Sequence, residues 1–177
     1  MKTNKRTFYL VLAIISLFMA GINQGFAQSS DDKYGDLVRP DNLGNADFDN
    51  FKNSCFDIYF NVGKLDENLK SVETNLVGYQ KDKSNINFTS LRSDIKSLNE
   101  IGESLIKLQG ETATLKNKSE QMVKDAQNFT PKLKAPKAIS NTNKSVTALD
   151  KANERTKILI DNQKLALTTA KELLGNN

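Results

Sequence analysis

Histidine and tryptophan are both missing from the 177 residues, and Cys55 is the only cysteine. Without histidine the chain lacks the usual general base and the commonest metal ligand. One cysteine excludes an intramolecular disulfide framework. There is also no Gly-rich phosphate loop, Gly-x-Ser-x-Gly turn or Cys-x-x-Cys pair. We therefore predict no catalytic residue, no metal site and no cofactor, and the sequence indicates that the protein is not an enzyme.

Carboxylates are the remaining candidates for catalysis. The adjacent or nearby pairs Asp66/Glu67 and Glu100/Glu103 lie off the apolar stripes described below, where charged side chains normally face water. A catalytic carboxylate needs a desolvated cleft that shifts its pKa, and the sequence marks none. We expect these four side chains to be solvated.

Long apolar runs are scarce as well. The one uncharged run, FYLVLAIISLFMAGI at 8–22, is shorter than the roughly 20 residues that span a bilayer. Two lysines and an arginine precede it, and Gly25 and Ala27 place small residues three and one positions before Gln28. This pattern is typical of a secretory signal peptide, residues 1–27, cleaved between Ala27 and Gln28. We expect an exported protein, periplasmic or secreted.

The basic balance of the chain comes mostly from that signal peptide. The whole sequence has 25 lysines and arginines against 21 acidic residues, and without residues 1–27 the balance is 22 to 21. Binding to nucleic acid or to anionic membranes requires clustered excess charge. We therefore expect no nucleic-acid partner and find no strong membrane signal. The lysines of PKLKAPK (131–137) are expected in a solvated loop.

The region after the signal peptide changes character at about residue 47. Residues 28–46 mix Gly, Pro, Asp and Asn without a sustained period, which indicates an extended or partly disordered leader. From there the chain shows heptad spacing, with apolar residues at alternating steps of three and four. The first stripe consists of Phe48, Phe51, Cys55, Ile58, Val62, Leu65, Leu69, Val72, Leu76 and Tyr79.

Two more stripes follow. Asn87 is a candidate N-cap for the second, which shifts phase at Ile101 beside Gly102 and ends before Pro131. Its members are Phe88, Leu91, Ile95, Leu98, Ile101, Leu105, Leu108, Thr112, Leu115, Ser119, Met122, Ala126 and Phe129. The third is more polar and consists of Ile139, Thr142, Val146, Leu149, Asn153, Thr156, Ile160, Gln163, Leu167, Ala170 and Leu174. We expect apolar residues at its flanks to widen this stripe, namely Ala152, Leu159, Ala166 and Leu173.

These stripes predict an all-α fold. Helices at about 47–79, 87–129 and 138–174, joined by short polar connections, imply antiparallel neighbours. We expect residues 47–175 to form a coiled-coil-like, up-down-up three-helix bundle. The alternative is a coiled-coil oligomer, because heptads do not specify whether the partner helix belongs to the same chain.

Cys55 lies on the first stripe between Phe51 and Ile58, so we expect its side chain in the core, where a thiol is protonated and inert. An intermolecular disulfide is the alternative in an oxidising compartment.

The sequence also contains a surplus of aromatic residues off the first stripe. Phe56 and Phe60 are four residues apart, and with Tyr59 they make the helix apolar almost all round. Two interpretations stay open. The leader folds back over this face with Tyr34, Leu37, Val38 or Leu43, or Phe56, Tyr59 and Phe60 form a docking patch for a protein partner or a second copy. Ile158 and Leu165 form a weaker second patch.

Taken together, these features predict an exported, non-catalytic helical bundle that acts as an interaction, scaffold or assembly module. Two alternatives remain open. One is a lipid- or membrane-engaging amphipathic bundle, although such helices usually carry a basic face. The other is a periplasmic holdase-type chaperone.

Overall fold

The computed structural model describes residues 37–175; the predicted signal peptide and residues 28–36 of the predicted leader lie outside the described residues. Within 37–175 there are three long helices and no strand. The helices are α1 (Ala46–Lys81), α2 (Phe88–Gln127) and α3 (Ala135–Gly175), and single 3₁₀ turns lie at Lys83–Asn85 and Lys132–Lys134. No described helix is both long and apolar enough to cross a membrane.

Asparagine side chains begin the first two helices. The Asn45 side chain accepts hydrogen bonds from the backbone N–H groups of Asp47 and Phe48. The Asn87 side chain accepts them from the backbone N–H groups of Thr89 and Ser90. Each side chain thus satisfies N–H groups that the first helical turn leaves without a partner. The N-cap predicted at Asn87 is confirmed.

The observed helix bounds differ from the predicted ones by at most three residues. The helix α2 ends at Gln127, because Asn128 takes the C-cap and Phe129 leaves the helix to pack elsewhere. The helix α3 starts at Ala135, with Pro136 in its first turn. Proline is tolerated there because the first N–H groups of a helix have no intrahelical partner.

Contacts along the helices give their directions. Phe48, near the start of α1, packs edge to face on Phe129, with 5.1 Å between ring centroids. At the other end of α1, the Tyr79 hydroxyl donates a hydrogen bond to Asp94 near the start of α2. Residue numbers therefore rise along α1 while they fall along α2, and these two helices are antiparallel.

The helix α3 reverses direction again. Gln163 donates a hydrogen bond to the Leu98 carbonyl, and Lys116 pairs with Asp150 at 2.8 Å. Numbers rise along α2 and fall along α3, so α3 runs parallel to α1. Gly102 makes the first of these contacts possible, because a Cβ there would lie 2.8 Å from Nε2 of Gln163.

The first two predicted stripes form the core. In α1 seven of the ten stripe residues are buried, and Phe48, Leu65 and Tyr79 are half-buried. No residue of the α2 stripe is exposed, and the phase shift at Ile101 is confirmed, since Ile101, Leu105 and Leu108 are all buried.

The buried stripe of α3 is wide, as predicted. Five of the predicted heptad positions are buried, namely Thr142, Leu149, Thr156, Gln163 and Ala170, and the other six, from Ile139 to Leu174, are half-buried. The predicted flanking residues Ala152, Leu159, Ala166 and Leu173 are buried as well, together with Ala138, Ser145 and Ala148.

Candidate interaction site at the end of the bundle

An extended segment lies across the end of the bundle where α1 and α3 begin. We call residues 39–43 the N-terminal arm. Four consecutive main-chain carbonyls of the arm each accept a hydrogen bond from a side chain of α1 or of the α3 region. The pairs are Lys52 Nζ to Pro40 O at 2.8 Å, Asn141 Nδ2 to Asp41 O at 2.8 Å, Lys137 Nζ to Asn42 O at 3.1 Å and Lys134 Nζ to Leu43 O at 3.4 Å.

A carboxylate fixes the turn between the arm and α1. Asp49 accepts hydrogen bonds from the backbone N–H groups of Leu43, Gly44 and Asn45 at 2.7, 2.9 and 3.2 Å. Slight burial raises the pKa of Asp49, but these hydrogen bonds and Lys52 outweigh it and lower the pKa below its ordinary value. Gly44 adopts a φ of 81°, a left-handed conformation that glycine reaches without strain.

Leu43 anchors the arm. It is buried in an apolar cluster formed by the end of α2, the start of α3 and the start of α1. The cluster consists of Leu43, Ala126, Phe129, Ala135 and Ala138, with Phe48 and Ile139 packed against it. This cluster closes one end of the bundle.

Arg39 attaches the other end of the arm to α1. Its guanidinium group pairs with Asp57 and lies 5.6 Å from the centre of the Phe60 ring, a cation–π distance. The Arg39 and Asp57 side chains are 34% and 59% exposed, so the pair is a surface contact. It sets the direction of the arm more than its stability.

Two of the donors that hold the arm are themselves buried. Lys52 is 3% exposed and Asn141 is 8% exposed. Lysine is almost never fully buried unless it is paired, and the Lys52 ammonium group donates to the Pro40 carbonyl and the Asn42 side chain, both in the arm. Lys52 and Asn141 are therefore part of the packed interior of the bundle end, whereas Lys134 and Lys137 donate from its surface.

The aromatic residues predicted as a docking patch do not lie together on the surface. Phe56 and Tyr59 are fully buried, and Phe60 is half-buried. Tyr59 lies two turns before Asp66 on the same face of α1, and Asp66 contacts Arg155 of α3, so this face of α1 is directed towards α3. Within the single chain a partner would reach only Phe60, and docking at these three residues stays a prediction.

Within the described residues, the leader reaches this face of α1 through Arg39. Leu43 is buried at the bundle end, Leu37 is half-buried and Val38 is 79% exposed; Tyr34 lies outside the described residues. The side chain that lies over Phe60 is Arg39. Ile158 and Leu165 are on the surface of α3, partly exposed.

Cys55 is a free thiol, fully buried in the core. Burial raises its pKa to about 12, so the thiol is protonated at neutral pH and is a poor nucleophile. No group of three or more histidine, cysteine, aspartate or glutamate side chains within residues 37–175 is arranged to hold a metal ion.

The expectation that the carboxylates are solvated is wrong for one of the four. Glu67, Glu100 and Glu103 are exposed, but Asp66 is buried and accepts two hydrogen bonds from Nη2 of Arg155 at 2.7 and 2.8 Å. Arg155 lies on α3, 89 positions away, so the α1 sequence alone gives no sign of the pairing. Glu73, one of the neighbours of Asp66 along α1, has a buried Oε1 atom without a hydrogen-bond partner.

Two shallow grooves lie on the described surface. One, of about 380 Å³, runs between α1 and α2, with Asp57, Ile58, Glu111 and Leu115 among its lining residues. The other, of about 350 Å³, lies between α2 and α3 beside Val123 and Val146. Neither gathers groups that would act together on a substrate.

Sequence reasoning missed the residues that hold the arm. Lys134 and Lys137 were expected in a solvated loop, and no sequence pattern marked Lys52. One local signal was available: asparagine at 45 and aspartate at 49, on either side of the helix start, are typical of a capped turn.

No protein-family model, curated protein or solved structure matches this chain.

Proposed function

We propose that this chain is an exported, non-catalytic helical bundle that binds other proteins as an interaction, scaffold or assembly module. The observation that carries the proposal is the N-terminal arm, because the bundle end holds the main chain of an extended segment with side-chain donors. This is how many recognition domains hold extended peptides: main-chain hydrogen bonds contribute affinity and side-chain pockets contribute specificity.

The sequence supports export. The basic start, the apolar run at 8–22 and the small residues before Gln28 are typical of a signal peptide cleaved after Ala27. In this proposal the mature protein acts in the periplasm or outside the cell, and its N-terminus precedes the arm by about a dozen residues.

The chemistry of the described residues favours binding over catalysis. The thiol is protonated and buried, and the buried carboxylates Asp66 and Asp94 are occupied by hydrogen bonds to neighbouring helices. Side chains that are committed in this way stabilise helix pairing.

Site-specific photo-cross-linking in cells that produce the full chain tests this proposal. A photoreactive residue replaces Val38, which is exposed beside the arm, or Ile106, which is 65% exposed on α2 and serves as the matched position away from it. We expect Val38 to give an adduct with a protein of defined mass and Ile106 to give none. If neither position, nor a third at Ile158, yields a protein adduct, the proposal is wrong.

A further inference from the structure

The bundle end holds the arm by four main-chain carbonyls, those of Pro40, Asp41, Asn42 and Leu43. Such carbonyls are present in any extended peptide. All four donors belong to the bundle: Lys52 is on α1, Lys137 and Asn141 are in the first two turns of α3, and Lys134 is in the 3₁₀ turn just before α3. The hydrogen bonds thus fix the path of an extended chain and place few demands on its sequence.

Three side chains of the arm add sequence demands, and one of them is Asn42, which accepts a hydrogen bond from Lys52. Leu43 fills the apolar cluster at the bundle end, and Arg39 pairs with Asp57 and lies over Phe60. A segment that fits the site therefore carries an arginine and, four residues later, a leucine. The acceptor for the arginine and the pocket for the leucine are both on the bundle.

Two of the donors are buried while the arm is in place. Lys52 and Asn141 are then both more than nine-tenths buried, and both donate to the arm. When the arm leaves, these donors need other acceptors, either water or the carbonyls of another segment. An incoming segment with free carbonyls supplies such acceptors and completes the same hydrogen bonds.

From these contacts we infer that the bundle end is a binding site for an extended segment of another protein, with arginine and leucine four residues apart, and that the arm occupies this site in cis as a displaceable competitor. The inference rests on the proposed function and names the chemistry of the partner. The arm loosens from its Arg39 end, where the ion pair is solvent-exposed and Val38 projects into solvent. Leu43 is released last.

Competition in cis sets the design of the experiment. A tethered segment acts at an effective concentration of about 1 mM or more, so a free peptide displaces the native arm poorly. The probe is a fluorescein-labelled synthetic peptide, LVRPDNLGN, the sequence of residues 37–45. It is titrated by fluorescence anisotropy into the full chain, purified after export, and into full-chain variants with a weakened arm.

Two variants weaken the arm to different degrees. Leu43→Ala removes the anchor, and we expect the peptide to bind this variant at least about 10-fold more tightly than the parent. Arg39→Ala removes only a surface ion pair and leaves the core unchanged, with an expected gain of about 3-fold. The second variant keeps the test valid if the first unfolds, which circular dichroism would reveal.

Matched controls assign the binding to the site. A peptide in which aspartate replaces the arginine and the leucine should bind at least about 10-fold more weakly. Adding Asn141→Leu to the Arg39→Ala variant should abolish the gain, because it removes a buried donor to the arm. Binding that is equal for both peptides, or no saturable binding to either variant at 1 mM peptide, would overturn the inference.

Two further outcomes distinguish the identity of the bound segment from the inference and from the proposed function. If the parent forms a dimer that Leu43→Ala abolishes, a second copy's arm is the occupant and the assignment to another protein is overturned. If the peptide fails to bind while Val38 or Ile158 cross-links to a protein, the inference falls and the interaction module stands.

Discussion

Among residues 37–175, Asp66 and Asp94 are the two buried carboxylates that join α1 to its neighbours, 4% and 9% exposed, and their partners differ. Asp66 receives the guanidinium group of Arg155 from α3, and the ammonium group of Lys70 lies 3.2 Å away. Asp94 of α2 receives the Tyr79 hydroxyl at 3.0 Å and the Asn75 amide at 3.2 Å from α1. One carboxylate is neutralised by cations, and the other is satisfied by neutral donors.

The difference shows how one helix fixes its register against two partners. A buried charge pair adds little net stability over an apolar pair, but it becomes strongly unfavourable when one partner is lost. Neutral hydrogen bonds are lost at a smaller cost. We therefore expect the α1–α3 register to be enforced by a penalty for mispairing, and the α1–α2 register by a few favourable hydrogen bonds.

Removing the cation at Asp66 should give the largest effect. Arg155→Met leaves a buried carboxylate with only the exposed Lys70 to compensate it, and we expect the free energy of unfolding to fall by about 3 kcal/mol. Urea denaturation at pH 7 measures the change. The double variant Asp66→Leu/Arg155→Met should regain most of the loss, because no charge is then left buried.

An exposed ion pair provides the control. Lys96 and Glu100 are 3.7 Å apart, with side chains 79% and 64% exposed, and Lys96→Met should change the stability by less than about 0.5 kcal/mol. If Arg155→Met lowered the free energy of unfolding no more than Lys96→Met does, Asp66 would not depend on its cation and would not differ from Asp94 in this respect.

The fold was predictable because burial follows the periodicity of each helix separately. The stripes through Val62 and Leu105 are visible in the sequence without knowledge of any neighbour. The Asp66–Arg155 pair and the Lys52 contacts were not predictable, because each depends on residues that only the tertiary fold brings into contact. The candidate site at the arm is of this second kind, since Asn141 lies 100 positions from its acceptor.

The predicted patch at Phe56, Tyr59 and Phe60 shows the same limit. An all-round apolar turn correctly indicates that something covers the helix. It does not say which part of the molecule covers the helix there, because that depends on the tertiary fold; Phe56 and Tyr59 are buried within the single chain.

Weakening the neutral cluster should have a smaller effect. Tyr79→Phe removes one hydrogen bond to Asp94 and leaves Asn75 in place, so we expect a loss of about 1 kcal/mol at pH 7. Burial, together with the hydrogen bond and charge of Asp94, raises the pKa of Tyr79 above its ordinary value. The stability that the tyrosine contributes is therefore present below its unfolded pKa of 10 and is lost as the pH rises through the folded pKa.

Denaturation of parent and variant between pH 7 and pH 11 tests both statements. The difference in the free energy of unfolding between the parent and Tyr79→Phe should be constant near neutral pH and should become smaller above pH 10. A variant as stable as the parent at pH 7 would mean that the hydroxyl contributes nothing to the α1–α2 pairing.

An effect of opposite sign lies at Glu73 beside the Asp66 pair. Burial and the charge of Asp66 raise the pKa of Glu73, and Lys70 and Arg155 compensate only in part. The folded state therefore binds the proton more tightly than the unfolded state, and stability falls as the pH rises from the ordinary value of 4.5 through the raised folded value. Glu73→Gln is neutral throughout and should be more stable than the parent at pH 7, by up to about 1 kcal/mol.

That advantage should shrink as the pH falls towards 4.5, where the parent also becomes neutral at Glu73. Glu67→Gln is the matched control, because Glu67 is an exposed glutamate on the same helix, and it should show no such pH-dependent gain. If Glu73→Gln is less stable than the parent at pH 7, the Glu73 carboxylate stabilises the α1–α3 pair as a third charged member. Asp66 and Asp94 would then differ in the size of the ionic cluster around them as well as in the charge of their donors.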